Sequence, residues 1–149
     1  MGARAMLFLV LMQIGFGALV AGLRAGKSYN TFPRMDGKWL PDGLYLLRPW
    51  WKNHLENILT VQFQHRMGAL IVAIAVLTAA AIHRHNPALR RIMILLAATV
   101  TVQFVLGVAT LLTVVDPWLA SAHQLVAVLL FGLTVQWVYS TPFDLHQSA

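Results

Sequence analysis

The sequence predicts an all-α integral membrane protein, a four-helix bundle built as two helical hairpins in pseudo-repeat. Of its 149 residues, 58% are hydrophobic and only 11% are charged, and the mean hydropathy is +0.67. A soluble domain of this size carries about 25% charged residues. Four stretches are apolar over the roughly 20 residues that a membrane-spanning helix needs. Little of the chain is left outside these stretches, so we expect one transmembrane domain and no separate soluble domain within residues 1–149.

The four apolar stretches predict four helices, with one long loop between the first and the second. The helices are expected at about residues 5–23, 57–82, 91–115 and 117–140, and the loop at 24–56. The first stretch is too long for a typical signal-peptide core, and no clear small-residue cleavage site follows it. We therefore interpret it as a helix.

The long loop is rich in aromatic residues that favour the lipid headgroup region. These are Tyr29, Trp39, Tyr45, Trp50 and Trp51. We expect an ordered cap on the membrane surface, with a short amphipathic helix near Tyr45. At the end of the loop, the spacing of Asn53 and Glu56 predicts a capping box with Asn53 as the N-cap of the second helix.

The basic residues lie in the connections between apolar stretches, where a membrane protein places them. The net charge of +6 therefore does not indicate a nucleic-acid partner. The short turn that contains Arg84, Arg90 and Arg91 has the densest positive charge, and Arg4 lies on the same side. This density predicts that the turn is cytoplasmic and that the long loop is extracytoplasmic. The raw count of basic residues, six in the long loop, favours the opposite orientation. The absence of cysteine excludes disulfides, thiolate metal sites and iron–sulfur clusters.

A short internal repeat relates the two predicted hairpins. The first helix contains Gln13 and, four residues later, Gly17, and the third contains Gln103 and Gly107 at the same spacing. Each of these helices is followed by a helix with a histidine near its start. Internal duplication is common in membrane folds, although similarity this short also arises by accident.

The two histidines of the apolar stretches, His65 and His123, are the candidate functional residues. Both lie near the starts of helices that run in the same direction, so their imidazoles reach a similar depth. Two facing imidazoles at one depth are what a haem iron with two axial ligands requires. Ionisable side chains inside a bilayer are costly and are functional candidates. The alternative is that each histidine only hydrogen-bonds a neighbouring helix.

Small residues accompany both histidines and leave room for a flat macrocycle, although they also serve close helix packing. They are Gly68, Ala69 and Val72 on the second helix, and Ala120 and Ala127 on the fourth.

Three basic residues are candidates to pair with haem propionates: Arg66, Arg24 and Lys27. Each could equally extend to the lipid headgroups. The remaining histidines are expected to be solvated, and Glu56 to be structural. These histidines are His54, His83, His85 and His146.

Several blocks of the sequence, in order along the chain, resemble the haem A synthase family. They are residues 17–26, 29–37, 56–57, 61–66, 107–112 and 122–124. That family has eight helices in two similar four-helix halves, and the chain resembles the C-terminal half. The resemblance implies a haem b held by His65 and His123.

The resemblance also implies that this half is not catalytic. In the N-terminal half of the family, which holds the substrate haem O, a glutamate lies three residues before the first histidine. The equivalent residue here is Gln62, and an amide cannot replace a carboxylate base. The family also tends to have an acidic residue directly before the histidine, where this chain has Gln64. No catalytic residue is therefore assigned to this chain.

The family's reaction is oxidation of a haem O methyl group to a formyl group, which yields the haem A of terminal oxidases. The resemblance implies that this half passes electrons, in the inner (plasma) membrane of a bacterium or the inner membrane of a mitochondrion. The chain would pair with an N-terminal half or with a second copy, or be a fragment of a longer protein. Two alternatives remain: a general bis-histidine cytochrome b that passes electrons from quinol, and a non-haem membrane assembly subunit.

Overall fold

The computed structural model describes residues 2–141, and within them it contains five α-helices and no β-strand. The helices are α1 (Ala3–Gly22), α2 (Asn53–Glu56), α3 (Ile58–His83), α4 (Arg90–Leu112) and α5 (Pro117–Ser140). All except the single turn of α2 are long and apolar enough to cross a membrane. The fold class is therefore the predicted one, and the chain is an integral membrane protein.

The four long helices form a closed ring around the bundle axis. In this ring α1 packs against α3 and α5, and α4 packs against the same two helices. The two histidine-bearing helices, α3 and α5, therefore lie diagonally opposite each other. Because α4 runs antiparallel to both, α3 and α5 start on the same side of the membrane.

The apolar core fills only one half of the bundle, the half that contains the start of α1 and the basic turn. Its largest fully buried side chains include Met6, Met93, Leu96 and Trp137. None of the residues of this core cluster comes from the histidine-bearing parts of α3 and α5, where Leu59 and Val61 are buried outside the cluster. The apolar core therefore holds the helices together at the end of the bundle near the basic turn. The level of the histidines lies outside this core.

Helix boundaries differ from the predicted ones where a local cap determines them. The prediction of Asn53 as the N-cap of the second helix is wrong: Asn57 caps α3, and its side chain accepts hydrogen bonds from the backbone of Leu59 and Thr60. Asn53 is instead fully buried and bonds both backbone groups of Leu47, which closes the loop on itself.

The third spanning helix, α4, ends at Leu112, earlier than predicted, because the chain reverses sharply before α5. Val114 and Val115 both have positive φ values, 56° and 65°. The Asp116 side chain then accepts hydrogen bonds from two backbone N–H groups of the first turn of α5. Pro117 is the first residue of that helix, a position that suits the fixed φ of proline. This tight reversal keeps α4 and α5 adjacent.

The loop between α1 and α3 is an ordered cap, as expected, but its helical turn lies elsewhere. Residues near Tyr45 form turns and no helix. The helical turns are a 3₁₀ turn at Ala25–Lys27, a second at Trp50–Lys52 and α2 directly after it. Trp39, Tyr45 and Trp50 remain exposed, as suits side chains at a membrane surface.

Candidate cofactor site

His65 and His123 occupy matching positions on the two parallel helices. His65 lies seven residues after the start of α3, and His123 lies six residues after the start of α5. With a rise of about 1.5 Å per residue, both lie about 10 Å inside their helices. The two histidines predicted from sequence therefore lie at a similar depth on the diagonally opposite helices α3 and α5.

Gln13 and Gly17 of α1 hold the His65 side chain. The Gln13 Nε2 atom lies 3.0 Å from His65 Nδ1, and it also donates to the His65 backbone oxygen at 3.0 Å. A Cβ atom at Gly17 would lie 3.3 Å from His65 Cε1. The imidazole therefore lies against the α1 backbone, in a space that exists because residue 17 has no side chain.

Gln103 and Gly107 of α4 contact the His123 side chain in a related manner, but Gln103 lies beside the other ring nitrogen. The Gln103 Nε2 atom lies 3.3 Å from His123 Nε2. A Cβ atom at Gly107 would lie 3.0 Å from His123 Cε1. The short sequence repeat therefore corresponds to a repeated three-residue contact, in which one helix supplies glutamine and glycine to the histidine of the next.

Unpaired polar atoms are concentrated around these two contacts. The buried atoms without a hydrogen-bond partner include Gln13 Oε1, Gln103 Oε1, Thr110 Oγ1 and His123 Nδ1. Buried polar groups are nearly always hydrogen-bonded in folded proteins. Four of these atoms therefore lie close to the two histidine contacts, beyond the end of the apolar core.

The described residues do not offer a site for a bare metal ion. Between residues 2 and 141, no three histidine, aspartate or glutamate side chains lie close enough together to hold one. The site consists of two imidazoles with their glutamine partners. It could therefore supply two nitrogen ligands.

Arg66, a candidate propionate partner, is engaged by the cap. Its guanidinium donates to the backbone oxygen of Thr31 at 2.8 Å and also to that of Tyr29, while Nε is buried without a partner. The other two candidates, Arg24 and Lys27, are exposed at the end of α1. A propionate role for these basic residues stays a prediction.

Gln62, noted in the sequence only for not being glutamate, has a structural role. Its side chain is 2% exposed, and Nε2 donates to the backbone oxygens of Ala25 and Tyr29 at 3.1 and 3.3 Å. Arg66 donates to its Oε1 atom at 3.4 Å. Gln62 and Arg66, one turn apart on α3, therefore bind the start of the cap. Sequence patterns gave no signal for this contact.

Gln64 and His54 form a second link between cap and bundle. Gln64 Nε2 donates to the His54 backbone oxygen at 2.9 Å, and Gln64 Oε1 lies 3.2 Å from His54 Nδ1. The His54 ring also makes edge contacts with Tyr45 and Trp50. The expectation that His54 is simply solvated is therefore wrong, because its ring is part of the cap.

The other histidines lie away from the site. His83 is half-buried against the Trp137 ring, with ring centres 6.0 Å apart, so it too is less solvated than expected. His85 is exposed and accepts a hydrogen bond from Arg84 Nε. A cavity of about 490 Å³ at this basic turn is lined by Arg84, His85, Pro87 and Arg90, at the opposite end of the bundle from the histidine pair. His146 lies outside the described residues.

Two of the small residues on α3 serve packing and leave no room for a ligand. A Cβ atom at Gly68 would lie 2.2 Å from Gln13 Oε1 and 3.3 Å from the Phe16 ring. Val72 belongs to the buried core. Gly68 thus makes space for the Gln13 side chain.

Comparison with known proteins assigns the chain to a family. Residues 1–135 match the model of the COX15-CtaA family, described as cytochrome oxidase assembly protein. The chain belongs to this family. No solved structure gives a significant match.

Its curated relatives include heme A synthases of several bacteria. That of Rhodopseudomonas palustris (strain BisA53) is 49% identical over 137 residues, which cover 89% of this chain and 38% of the relative. That of Beijerinckia indica subsp. indica is 44% identical over 140 residues, covering 90% and 39%. That of Agrobacterium fabrum (strain C58) is 47% identical over 131 residues, covering 85% and 36%. The chain thus spans under two-fifths of the length of these relatives.

Proposed function

We propose that this chain is the haem b-binding, C-terminal half of a haem A synthase. The observation that carries the proposal is the pair of equivalent histidine contacts, one from each hairpin, at one depth on diagonally opposite helices. Family membership and the identity to heme A synthases support the same reading. The histidines would be the two axial ligands of one haem.

The residues at this level fit a haem. Each imidazole has one nitrogen beside a glutamine, and the His123 Nδ1 atom is buried without a partner. Both rings lie against glycine backbone, so their positions are constrained. The apolar core cluster contains no residue that contacts the rings, so the level of the histidines is lined mainly by polar and small residues.

In this site the protein would bind and orient the haem, and the oxidation of haem O would take place elsewhere. A bound haem supplies a one-electron redox centre. His65 and His123 would hold this group, and with two protein ligands it would serve electron transfer rather than bind substrate or oxygen. Arg66 and Arg24 stand on the cap side, where propionates would be neutralised.

The substrate, haem O, would then bind outside this chain. Gln62 occupies the position at which the family has a catalytic glutamate in its other half, and here its amide is committed to the cap. We propose that a second four-helix unit completes the enzyme, either an N-terminal half or another copy of this chain. The complete enzyme would lie in the bacterial inner membrane, or in the mitochondrial inner membrane of a eukaryote.

A reduced-minus-oxidised visible spectrum of the detergent-purified chain tests the proposal, with His65→Ala and His123→Ala measured beside it. We expect a low-spin b-type spectrum in the wild type that is lost or becomes high-spin in both variants. Light scattering on the same sample reports whether one chain or two carry each haem. A well-folded wild type that stays colourless after haem supplementation would contradict the proposal, and rapid reduction by quinol without any dependence on haem O would favour a general cytochrome b.

A further inference from the structure

The turn between α3 and α4 forms a positively charged cavity at the end of the bundle away from the histidine pair. The cavity has a volume of about 490 Å³ and is lined by Arg84, His85, Pro87 and Arg90. Arg84 directly follows α3, and Arg90 is the first residue of α4. The positive-inside rule accounts for basic residues in such a turn, but not for the convergence of two of them on one cavity.

No acidic side chain compensates this charge in the part of the chain that the structure describes. The acidic residues between 2 and 141 are Asp36, Asp42, Glu56 and Asp116. The first three belong to the cap, and Asp116 starts α5 at the cap end of the bundle. An anion from elsewhere would therefore supply the charge partner that the cavity lacks.

The start of α4 has the opposite charge from the one that a helix N-terminus prefers. Arg90 and Arg91 are its first two residues, its first turn has no acidic residue, and no side chain caps it. The N-terminus of a helix has a partial positive charge, so cations there are unfavourable and an anion is favourable. An anion bound beside Arg90 would relieve this repulsion.

The contact between Arg84 and His85 prepares the cavity for the oxygen atoms of an anion. Arg84 Nε donates to His85 Nε2 at 2.8 Å. Because His85 Nε2 accepts, the proton of the neutral ring is on Nδ1, which is a donor. Within residues 2–141 the two terminal nitrogens of Arg84 make no hydrogen bond. A guanidinium group binds phosphate oxygens through paired N–H groups, so the lining fits a phosphate.

An apolar surface continues from the cavity toward the centre of the bilayer. Ile82, two residues before Arg84, is 66% exposed, and Ile94, one turn after Arg90 on the same face of α4, is 57% exposed. A free phosphate would use only the charged cavity, whereas a phospholipid would also place its acyl chains against these side chains. Basic pockets at the membrane ends of helices recognise anionic lipid headgroups. The surroundings of the cavity thus favour a lipid phosphate.

We propose that this cavity binds the phosphate of an anionic phospholipid, with Arg84 and Arg90 as its charged contacts and the His85 ring as a further donor. The bound lipid neutralises the turn and links the end of α3 to the start of α4. The site does not depend on the proposed haem site, which lies at the other end of the bundle.

Thermal unfolding of the detergent-purified full chain, titrated with dioleoylphosphatidylglycerol, tests the proposal. We expect the lipid to raise the unfolding midpoint of the wild type in a saturable manner. Arg84→Gln and Arg90→Gln should each weaken the apparent lipid affinity by about fivefold, the effect of one arginine near an anionic lipid surface. A wild type whose midpoint does not respond to this lipid would overturn the proposal and leave the haem site untouched.

Arg91→Gln is the matched control, because it removes the same charge from an exposed neighbouring position that does not line the cavity. It should bind the lipid like the wild type. Equal weakening in all three arginine variants would mean that the lipid responds to diffuse charge, and the proposal fails. Circular dichroism of each variant establishes that it is folded before titration.

Other ligands in the same assay identify the source of the phosphate. Dioleoylphosphatidylcholine, which has no net charge, and inorganic phosphate at the same concentration should not raise the midpoint. Stabilisation by inorganic phosphate equal to that by the lipid would make free phosphate the ligand and overturn the lipid assignment. Asp144, outside the described residues, is the remaining acidic residue of the chain. Asp144→Asn should leave the lipid affinity unchanged, and a higher affinity would mean that this carboxylate is the partner of the cavity.

Discussion

Gly17 and Gly107 show how a single absent side chain creates the site. Each glycine lies four residues after its glutamine, on the same face of the helix, and allows an imidazole to lie against the backbone. The contact is tighter at Gly107, where a Cβ atom would lie 3.0 Å from His123, than at Gly17, where the distance to His65 would be 3.3 Å. The two glycines therefore have the same role, but position 107 should tolerate an added side chain less well than position 17.

Gly107→Ala should weaken haem binding more than Gly17→Ala does, because the His123 ring must shift further to make room. Equilibrium haem titration of the purified variants measures the difference. Gly132→Ala is the matched control, since a Cβ atom at Gly132 meets nothing within 4 Å. That control should bind haem normally and gain about 0.5–1 kcal/mol of helix stability. Equal haem affinity in all three variants would show that the glycines do not shape the site.

Gln62 illustrates why the chemistry of a side chain depends on what faces it. Two cap carbonyls, those of Ala25 and Tyr29, face its amide nitrogen in a buried place. An amide donates two hydrogen bonds there, whereas an ionised carboxylate can only accept. Gln62 can therefore bind the two cap carbonyls, whereas an ionised glutamate at this position could not.

Gln62→Glu should loosen the attachment of the cap while it preserves the size of the side chain. Each buried carbonyl left without a donor costs about 1–3 kcal/mol. We expect a lower thermal unfolding midpoint in detergent and faster proteolytic cleavage within the loop between α1 and α3. Gln136→Glu, on an exposed helix face, should change neither. If the variant is as stable and as protease-resistant as the wild type, Gln62 does not contribute to the attachment of the cap.

The helices are held by different means at the two ends of the bundle. Near the basic turn, buried apolar side chains such as Met93 and Trp137 interlock all four spans. Near the cap, polar links replace them: Asn30 Nδ2 donates to the Leu111 backbone oxygen at 2.8 Å, and Gln64 bonds His54. Irregular backbone near a membrane needs such satisfied carbonyls. The polar end is therefore where the loop and the site are organised together.

Charge distribution along the whole molecule predicts its orientation in the membrane. The exposed arginines of the turn between α3 and α4, Arg84, Arg90 and Arg91, cluster at one end of the bundle. The positive-inside rule places that end in the cytoplasm and the cap outside. The histidine level then lies nearer the outer face.

Single cysteines test this orientation cleanly, because the natural chain contains none. Leu46→Cys lies in the cap, where Leu46 is 77% exposed, and Ala88→Cys lies in the exposed basic turn. A membrane-impermeant maleimide should label position 46 in spheroplasts and position 88 only in inverted vesicles. The reverse pattern would place the cap in the cytoplasm and overturn the predicted orientation.

The four spans could be predicted from sequence because hydropathy and length are local properties, and a bilayer imposes both. The matched depth of His65 and His123 also followed, since helix geometry converts residue position into distance. The repeated Gln–Gly spacing was visible too, but its meaning was not. Nothing in the sequence shows that Gln13 meets His65, which is 52 residues away along the chain.

Contacts between distant segments were decided by the tertiary structure. Asn57, rather than Asn53, caps α3, because the Asn53 side chain hydrogen-bonds the backbone of Leu47 in the loop. Gln62 and Arg66 bind the cap because the loop returns over α3. Composition and periodicity fix which segments enter the membrane, whereas packing fixes which side chains face one another, because side-chain contacts depend on the ring order and rotation of the helices.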